Sequence, residues 1–396
     1  MTETNPQDVV IVGAVRTPQG RMLGALSSLS AVDLGAHVIK GSLDKAGVSA
    51  DDVDYVLMGQ VVQAGSGQNP AKQAAVQAGV PVNVPALTIN KVCLSGLDAV
   101  INASRLLRVG DANIVVAGGQ ESMTNAPHIA AGVRAGKGFG SLNLADSLER
   151  DGLADPIAGT SMGFDTDGHA AKAGLTREEQ DEISAQSHQR AEAATKDGAF
   201  AEEILPIEVK KRKETVTVSE DEGIRPGTTV EGLSKLRPAF VKDGTITAAS
   251  SSQITDGAAA VVLTTRKYAE DNGLNILATL GEYGQTAGPD TSLLSQPSQA
   301  VNAALQKAGW SVDDLDFLEI NEAFAAVVAQ SVKDLGYDLE KTNIHGGGIS
   351  LGHPIGASGA RLVVHAAHEL ARRGGGKSGV SLCGGGGQGD ALLLWA

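Results

Sequence analysis

The chain has 396 residues with 42% hydrophobic and 20% charged content, an ordinary soluble globular balance with enough length for more than one domain and a large core. A net charge of −14 argues against a nonspecific nucleic-acid binder, and 50 glycines are too many for an all-helical bundle. Two widely spaced cysteines give no close-spaced metal motif, no apolar run has membrane-spanning length, and the polar start shows no secretory pattern; no metal, no membrane contact and cytoplasmic residence are the expectations.

Val9-Val10-Ile11-Val12 reads as a buried strand broken by Arg16-Thr17-Pro18. Residues 29–46 carry apolar side chains at helical spacing and stop at Gly47, a good C-terminal cap. A strand over residues 53–59 follows, then a helix over residues 69–79 with proline early and glycine at its end. From Thr88 an apolar run leads to Cys93, after which an amphipathic helix begins. Cys93 is therefore expected at a helix N-terminus, where free N–H groups and the helix dipole stabilise a thiolate and lower the thiol pKa. The alternative reading is a buried structural cysteine. Residues 120–251 depart from strand-helix alternation and include a helix over residues 176–194, opened by a capping box of Thr176 and Glu179. A charged patch over residues 210–213 reads, at Lys211 and Lys213, as a solvated turn. Residues 43–55 return as residues 305–317, from Leu-Asp-Lys-Ala-Gly to Leu-Gln-Lys-Ala-Gly and from Asp-Asp-Val-Asp-Tyr to Asp-Asp-Leu-Asp-Phe. A repeat this distant indicates duplication of a whole α/β half, with helices covering a mixed sheet in each.

Near the C-terminus, glycine-rich stretches surround His353 and Cys383, and glycine lets backbone N–H groups approach a reacting carbonyl closely. Cys-Leu-Ser-Gly at 93–96, Asn-Glu-Ala-Phe at 321–324, Gly-His-Pro-Ile-Gly-Ala-Ser-Gly at 352–359 and Cys-Gly-Gly-Gly at 383–386 follow one another in that order. On these motifs the whole chain resembles the thiolase family. The resemblance implies a five-layered αβαβα core: an N-terminal half of residues 1–119 and 252–274, a C-terminal half of residues 275–396, and an inserted loop domain, 120–251, covering coenzyme A. It implies acyl transfer through a thioester on Cys93, with Cys383 as the second acid/base that moves a proton at the methyl carbon. His353 would activate Cys93, and Asn321 would hold a water that completes an oxyanion hole with it. A second oxyanion hole would use the N–H groups of Cys93 and Gly385. Leu153, Met162, Arg225, Phe240, Ala248, Ser252 and Phe324 match CoA contacts. Coenzyme A and acetyl-CoA are then substrates, no cofactor is tightly bound, and a homodimer or homotetramer is expected.

Ser161-Met162-Gly163 stands where short-chain family members often have His-Met-Gly, so chain length stays open between condensation of two acetyl-CoA and thiolysis of longer 3-ketoacyl-CoA. The run 384–389 spells a dinucleotide fingerprint, but only seven residues follow Gly389, too few for the helix and acidic residue that motif needs. A noncatalytic acyl-CoA or lipid binder has no need of two cysteines, His353 and Asn321 together. A ketoacyl synthase would use one cysteine with two histidines.

Overall fold

The computed structural model describes residues 4–211 and 214–396, so Lys213 of the charged patch lies outside the described residues. Lys211 is the exposed last residue of a strand, Ile207–Lys211, that pairs with Glu214–Val218.

Nine strands form the spine: β1 (Val9–Arg16), β2 (Tyr55–Gly59), β3 (Ala86–Ile89), β4 (Ile114–Ser122), β5 (Thr255–Thr265), β6 (Ala278–Ala287), β7 (Phe317–Ile320), β8 (Lys377–Gly384) and β9 (Gln388–Trp395). Their order is β7-β8-β9-β6-β1-β5-β4-β2-β3, and the two-residue strand Gly20–Arg21 on β5 makes ten. The sheets of the two halves meet where Val10 and Ile11 pair with Thr279 and Ala278. Eight helices matter here: α1 (Ala31–Ala46), α2 (Pro70–Gln77), α3 (Ser95–Val109), α4 (Met162–Lys172), α5 (Arg177–Lys196), α6 (Gln296–Ala308), α7 (Ala325–Leu335) and α8 (Ser358–Arg373).

Three apolar cores define five layers. Leu34, Val38 and Ile39 of α1 pack on Val10 and Val262 in the outer core of the first half. Val301, Leu305 and Val327 of α6 and α7 pack on Ile320 and Leu393 in that of the second. Between the sheets, Leu97, Val100 and Ile101 of α3 meet Leu362, Val363 and Val364 of α8. Burying each such aliphatic side chain stabilises by about 1.5–3 kcal/mol, so α3 and α8, covered on all sides, anchor the molecule.

β1 continues four residues past its β-branched run, to Arg16. Burial of this charge is possible because its guanidinium donates to Glu203 at 2.7 Å and to both carboxylate oxygens of Asp221 at 2.7 and 2.8 Å. The repeated segments adopt one conformation. Gly47 closes α1 at φ 68°, ψ 26° and Gly309 closes α6 at φ 66°, ψ 27°, both in the left-handed region that glycine enters without strain. Beyond the caps, Asp54 accepts from the N–H of Asn113 at 2.7 Å, and Asp316 from that of Lys377 at 2.8 Å, each locking a neighbouring strand.

The chain leaves the sheet after Ser122 and returns at Thr255. The intervening region holds α4, α5 and three two-stranded ribbons. α5 begins as its sequence predicts: Thr176 Oγ1 accepts from Glu179 N–H at 3.2 Å while the Glu179 carboxylate accepts from Thr176 N–H at 2.9 Å.

Candidate active site

Cys93 sits on a tight turn between β3 and α3 rather than on a strand. Val92 before it has φ 52°, a costly conformation for a β-branched residue that neighbours must enforce. They do so with three hydrogen bonds: Val92 N–H to Asn90 Oδ1 at 3.1 Å, Lys91 N–H to Ser95 Oγ at 2.8 Å, and Ser95 O–H to Val92 O at 2.6 Å. Cys93 lies two residues before α3, whose N-cap Leu94 makes no side-chain cap hydrogen bond. The expected thiolate does not follow. Cys93 is buried, and burial pushes its thiol up to about 12; the N–H groups of Cys93 and Gly385 oppose this without overcoming it.

Cys383 lies on β8, at the end of the other half, and is fully buried. Burial, then the proximity of Cys93, raise its pKa. The strand beside it, β7, runs parallel with Ile320 opposite Ser381, and Asn321 extends this register by donating its N–H to Ser381 O at 2.9 Å. Asn321 Nδ2 lies 3.5 Å from both ring nitrogens of His353, and Asn321 Oδ1 is buried without a hydrogen-bond partner among the described residues. His353 is held by its N–H to Thr255 Oγ1 at 3.0 Å and by Nδ1 at 2.5 Å from Ser358 Oγ. Ser358 commits its one hydroxyl proton to Pro354 O at 3.0 Å, which assigns the proton on His353 to Nδ1 and leaves Nε2 as the basic nitrogen. Burial, and secondarily Arg361, pushes His353 down to about 3, so the imidazole is neutral at neutral pH.

Two carboxylates missed in the sequence brace these loops. Glu121, at the end of β4, accepts from the N–H groups of Val61, Val62 and Gly356 at 3.0, 3.2 and 2.9 Å; burial pushes it up to about 7. Glu322 accepts from Ser187 Oγ at 2.6 Å, Asn343 Nδ2 at 2.9 Å and Ile349 N–H at 3.1 Å, tying the Asn-Glu-Ala-Phe motif to the glycine-rich loop. An acidic residue at the end of an apolar strand was the available signal at Glu121. Glycine makes the crossing of α3, α8 and β4 possible: a Cβ on Gly119 would stand 2.1 Å from Gly356 O, and one on Gly359 2.4 Å from Leu97 N.

Family models for the thiolase N-terminal domain and the thiolase C-terminal domain match residues 9–267 and 274–396. The chain belongs to the thiolase family. A probable acetyl-CoA acetyltransferase of Mycolicibacterium smegmatis is 53% identical over 97% of this thiolase and all of its own length. The acetyl-CoA acetyltransferase of Pseudomonas aeruginosa is 50% identical over 98% of this chain and 99% of its own. The crystal structure of the Bacillus anthracis acetyl-CoA acetyltransferase superposes with TM-score 0.95 at 39% identity, covering 98% of each chain. Human mitochondrial 3-ketoacyl-CoA thiolase gives TM-score 0.95 at 40% identity over 99% of this chain and all of that one, so the backbone alone does not separate the two names.

Several of the residues predicted to contact CoA lie near one another. The Phe240 and Phe324 rings meet edge to face with centroids 6.0 Å apart, and a Cβ on Gly163, beside Met162, would stand 2.3 Å from the Phe240 ring. Met162 Sδ lies 3.2 Å from where a Cβ on Gly385 would point. Ser252 donates its N–H to Ala323 O at 2.9 Å, which sets it alongside Phe324; exposed Ala248 lies on the same loop. Leu153 packs partly buried against the central core. Arg225 stands apart: its side chain is exposed, and its N–H donates to His188 Nδ1 at 3.2 Å. Ser161 is the N-cap of α4, accepting from Phe164 N–H at 3.3 Å, so the family departure supplies a helix cap in place of an imidazole. Among the described residues no group of three or more His, Cys, Asp or Glu is arranged to hold a metal ion, and no helix is long and apolar enough to cross a membrane.

Proposed function

We propose that this thiolase is an acetyl-CoA C-acetyltransferase, joining two acetyl-CoA reversibly into acetoacetyl-CoA and CoA through acetyl-Cys93. The carrying observation is the convergence of two buried cysteines, one from each half, close enough that Cys93 raises the pKa of Cys383. That repulsion permits at most one thiolate at a time. In the first stage Cys93 gives its proton to Nε2 of His353 and attacks the thioester carbonyl. The bond to CoA sulfur breaks, and the departing thiolate takes the proton from His353. In the second stage Cys383 gives its proton to Nε2 of His353, left neutral by the first stage, and as thiolate removes a proton from the methyl group of a second acetyl-CoA. The carbanion attacks the acetyl carbonyl, the Cys93 thioester bond breaks, and the released sulfur takes the proton from His353, while Cys383 keeps the methyl proton. N–H groups of Cys93 and Gly385 supply one oxyanion hole. The unpartnered Oδ1 of Asn321 suits a water that with His353 supplies the other.

The acetyltransferase relatives support acetyl-CoA over longer substrates. The test is kcat/KM for CoA-dependent cleavage of acetoacetyl-CoA against 3-ketohexanoyl-CoA and longer homologues; equal or better use of long chains would replace this activity by broad 3-ketoacyl-CoA thiolysis. Leu153, Met162, Arg225, Phe240, Ala248, Ser252 and Phe324 would contact CoA, with residues 120–251 as its cover between halves of residues 1–119 with 252–274 and 275–396. The active form would be a homo-oligomer in the cytoplasm: a loop with Phe139, Leu142 and Leu144 exposed is the apolar surface that association covers. Light scattering giving a monomer at micromolar concentration would contradict that.

A further inference from the structure

The two cysteine loops belong to different halves, and one ion pair spans them. Lys91, two residues before Cys93, places Nζ 2.8 and 2.9 Å from the two carboxylate oxygens of Asp390. Asp390 lies on β9 opposite Leu382, the neighbour of Cys383. Its side chain is fully buried while that of Lys91 keeps 23% exposure. Gln285 of β6 donates to Asp390 Oδ1 at 3.2 Å and to Asp98 Oδ1 of α3 at 2.9 Å, so the carboxylate is braced from both halves. On the Cys93 side Lys91 is itself fixed, because its N–H is one of the three bonds that enforce the Val92 turn. A surface ion pair between mobile side chains transmits little. This one joins a strained turn to a strand interior through a bidentate contact.

We propose that Lys91 and Asp390 are positioning residues that set the separation of Cys93 from Cys383, and thereby control carbon–carbon bond formation more than acetylation of Cys93. Acetylation uses one sulfur, with His353 as its proposed base. Condensation also requires Cys383 to reach the methyl carbon of a second substrate held against acetyl-Cys93. A displacement of about 1 Å at such a step costs up to roughly 100-fold. The inference rests on the two-cysteine reaction above.

The experiment compares two steps in the full-length enzyme: single-turnover acetylation of Cys93 by acetyl-CoA, followed by intact mass, and steady-state condensation. Lys91→Met and Asp390→Asn are expected to lower condensation kcat roughly 100-fold while acetylation stays within a few-fold. Lys91→Arg, which keeps the charge, should retain more condensation than Lys91→Met. Equal loss in both steps, or loss in neither, overturns the proposal. If a single variant does not fold, the Lys91→Met/Asp390→Asn double variant, which leaves neither charge unpaired, answers the same question. Cys383→Ala separates the failures. If it too slows both steps equally, the two-cysteine reading is at fault. If it stops condensation alone while Asp390→Asn does not, only the positioning role is lost.

Discussion

Two helices enter the centre of the molecule, one from each half, and they enter differently. The scaffold around them is a repeat: Gly47 and Gly309 close α1 and α6 within two degrees in φ, and Asp54 and Asp316 make matching bonds to the next strand. The approaches to α3 and α8 are not repeated. α3 follows a strained turn ending in Cys93; α8 follows a glycine-rich loop in which His353 is fixed by Ser358, one of the helix's own residues. The scaffold segments are duplicated, whereas the approaches that carry Cys93 and His353 differ at two helix starts, where free N–H groups are available.

Replacing a diverged position should damage catalysis, and replacing a duplicated one should damage stability. The largest effect belongs to Cys93→Ser: acyl transfer should fall by at least about 1,000-fold, measured as steady-state kcat, with an unchanged unfolding midpoint. Retained turnover would remove Cys93 as the nucleophile. Iodoacetamide should alkylate Cys93 slowly at pH 7, with a rate still rising above pH 10, because burial holds the thiol near 12. A plateau near pH 7 would restore the thiolate expected from the helix start.

Gly359→Ala belongs to both classes, since the added methyl meets the backbone of Leu97 at the crossing of the two central helices. It should destabilise by about 1–3 kcal/mol in urea titrations and lower kcat as well. Gly47→Ala and Gly309→Ala meet nothing within 4 Å, so backbone strain alone acts. Each should cost about 1–2 kcal/mol, equally, with kcat unchanged; unequal losses would show that the repeat is geometric but not energetic.

His353 gives the most specific effect, confined to one pH window. Its folded-state pKa of about 3 lies below the ordinary 6.5, so between these pH values the unfolded chain binds a proton that the folded chain does not. Stability falls as pH falls through that window, by about 1.4 kcal/mol per unit from this group. His353→Gln should flatten the dependence of urea midpoints between pH 6.5 and 4 by that slope; an identical slope would mean His353 titrates normally.

Capping chemistry made helix ends legible, as at Thr176 with Glu179 and at both repeated glycines, because those signals are local. Family motifs placed Cys93, Asn321, His353 and Cys383 in order along the chain. What stayed hidden depends on burial and on distant partners. The Arg16 strand extension needs Glu203 and Asp221, both nearly 200 or more positions away in sequence. The raised thiol pKa needs the packing around Cys93, and the role of Ser358 needs the direction of one hydroxyl. Ser161 was compared with a histidine it does not match, although a serine before Met-Gly-Phe-Asp is also an ordinary helix start.

The glycine crossing also separates what can vary from what cannot. Where Gly119 and Gly359 bring backbones into contact, no side chain is present to repack, so the spacing of α3, α8 and β4 is set by main chain. Met162, Phe240 and Phe324, the proposed CoA contacts, present side chains carried largely by the insertion. Successive substitutions there can redraw the pocket for another acyl length while the reacting frame stays fixed, which lets descendants of this fold change diet without relearning the reaction.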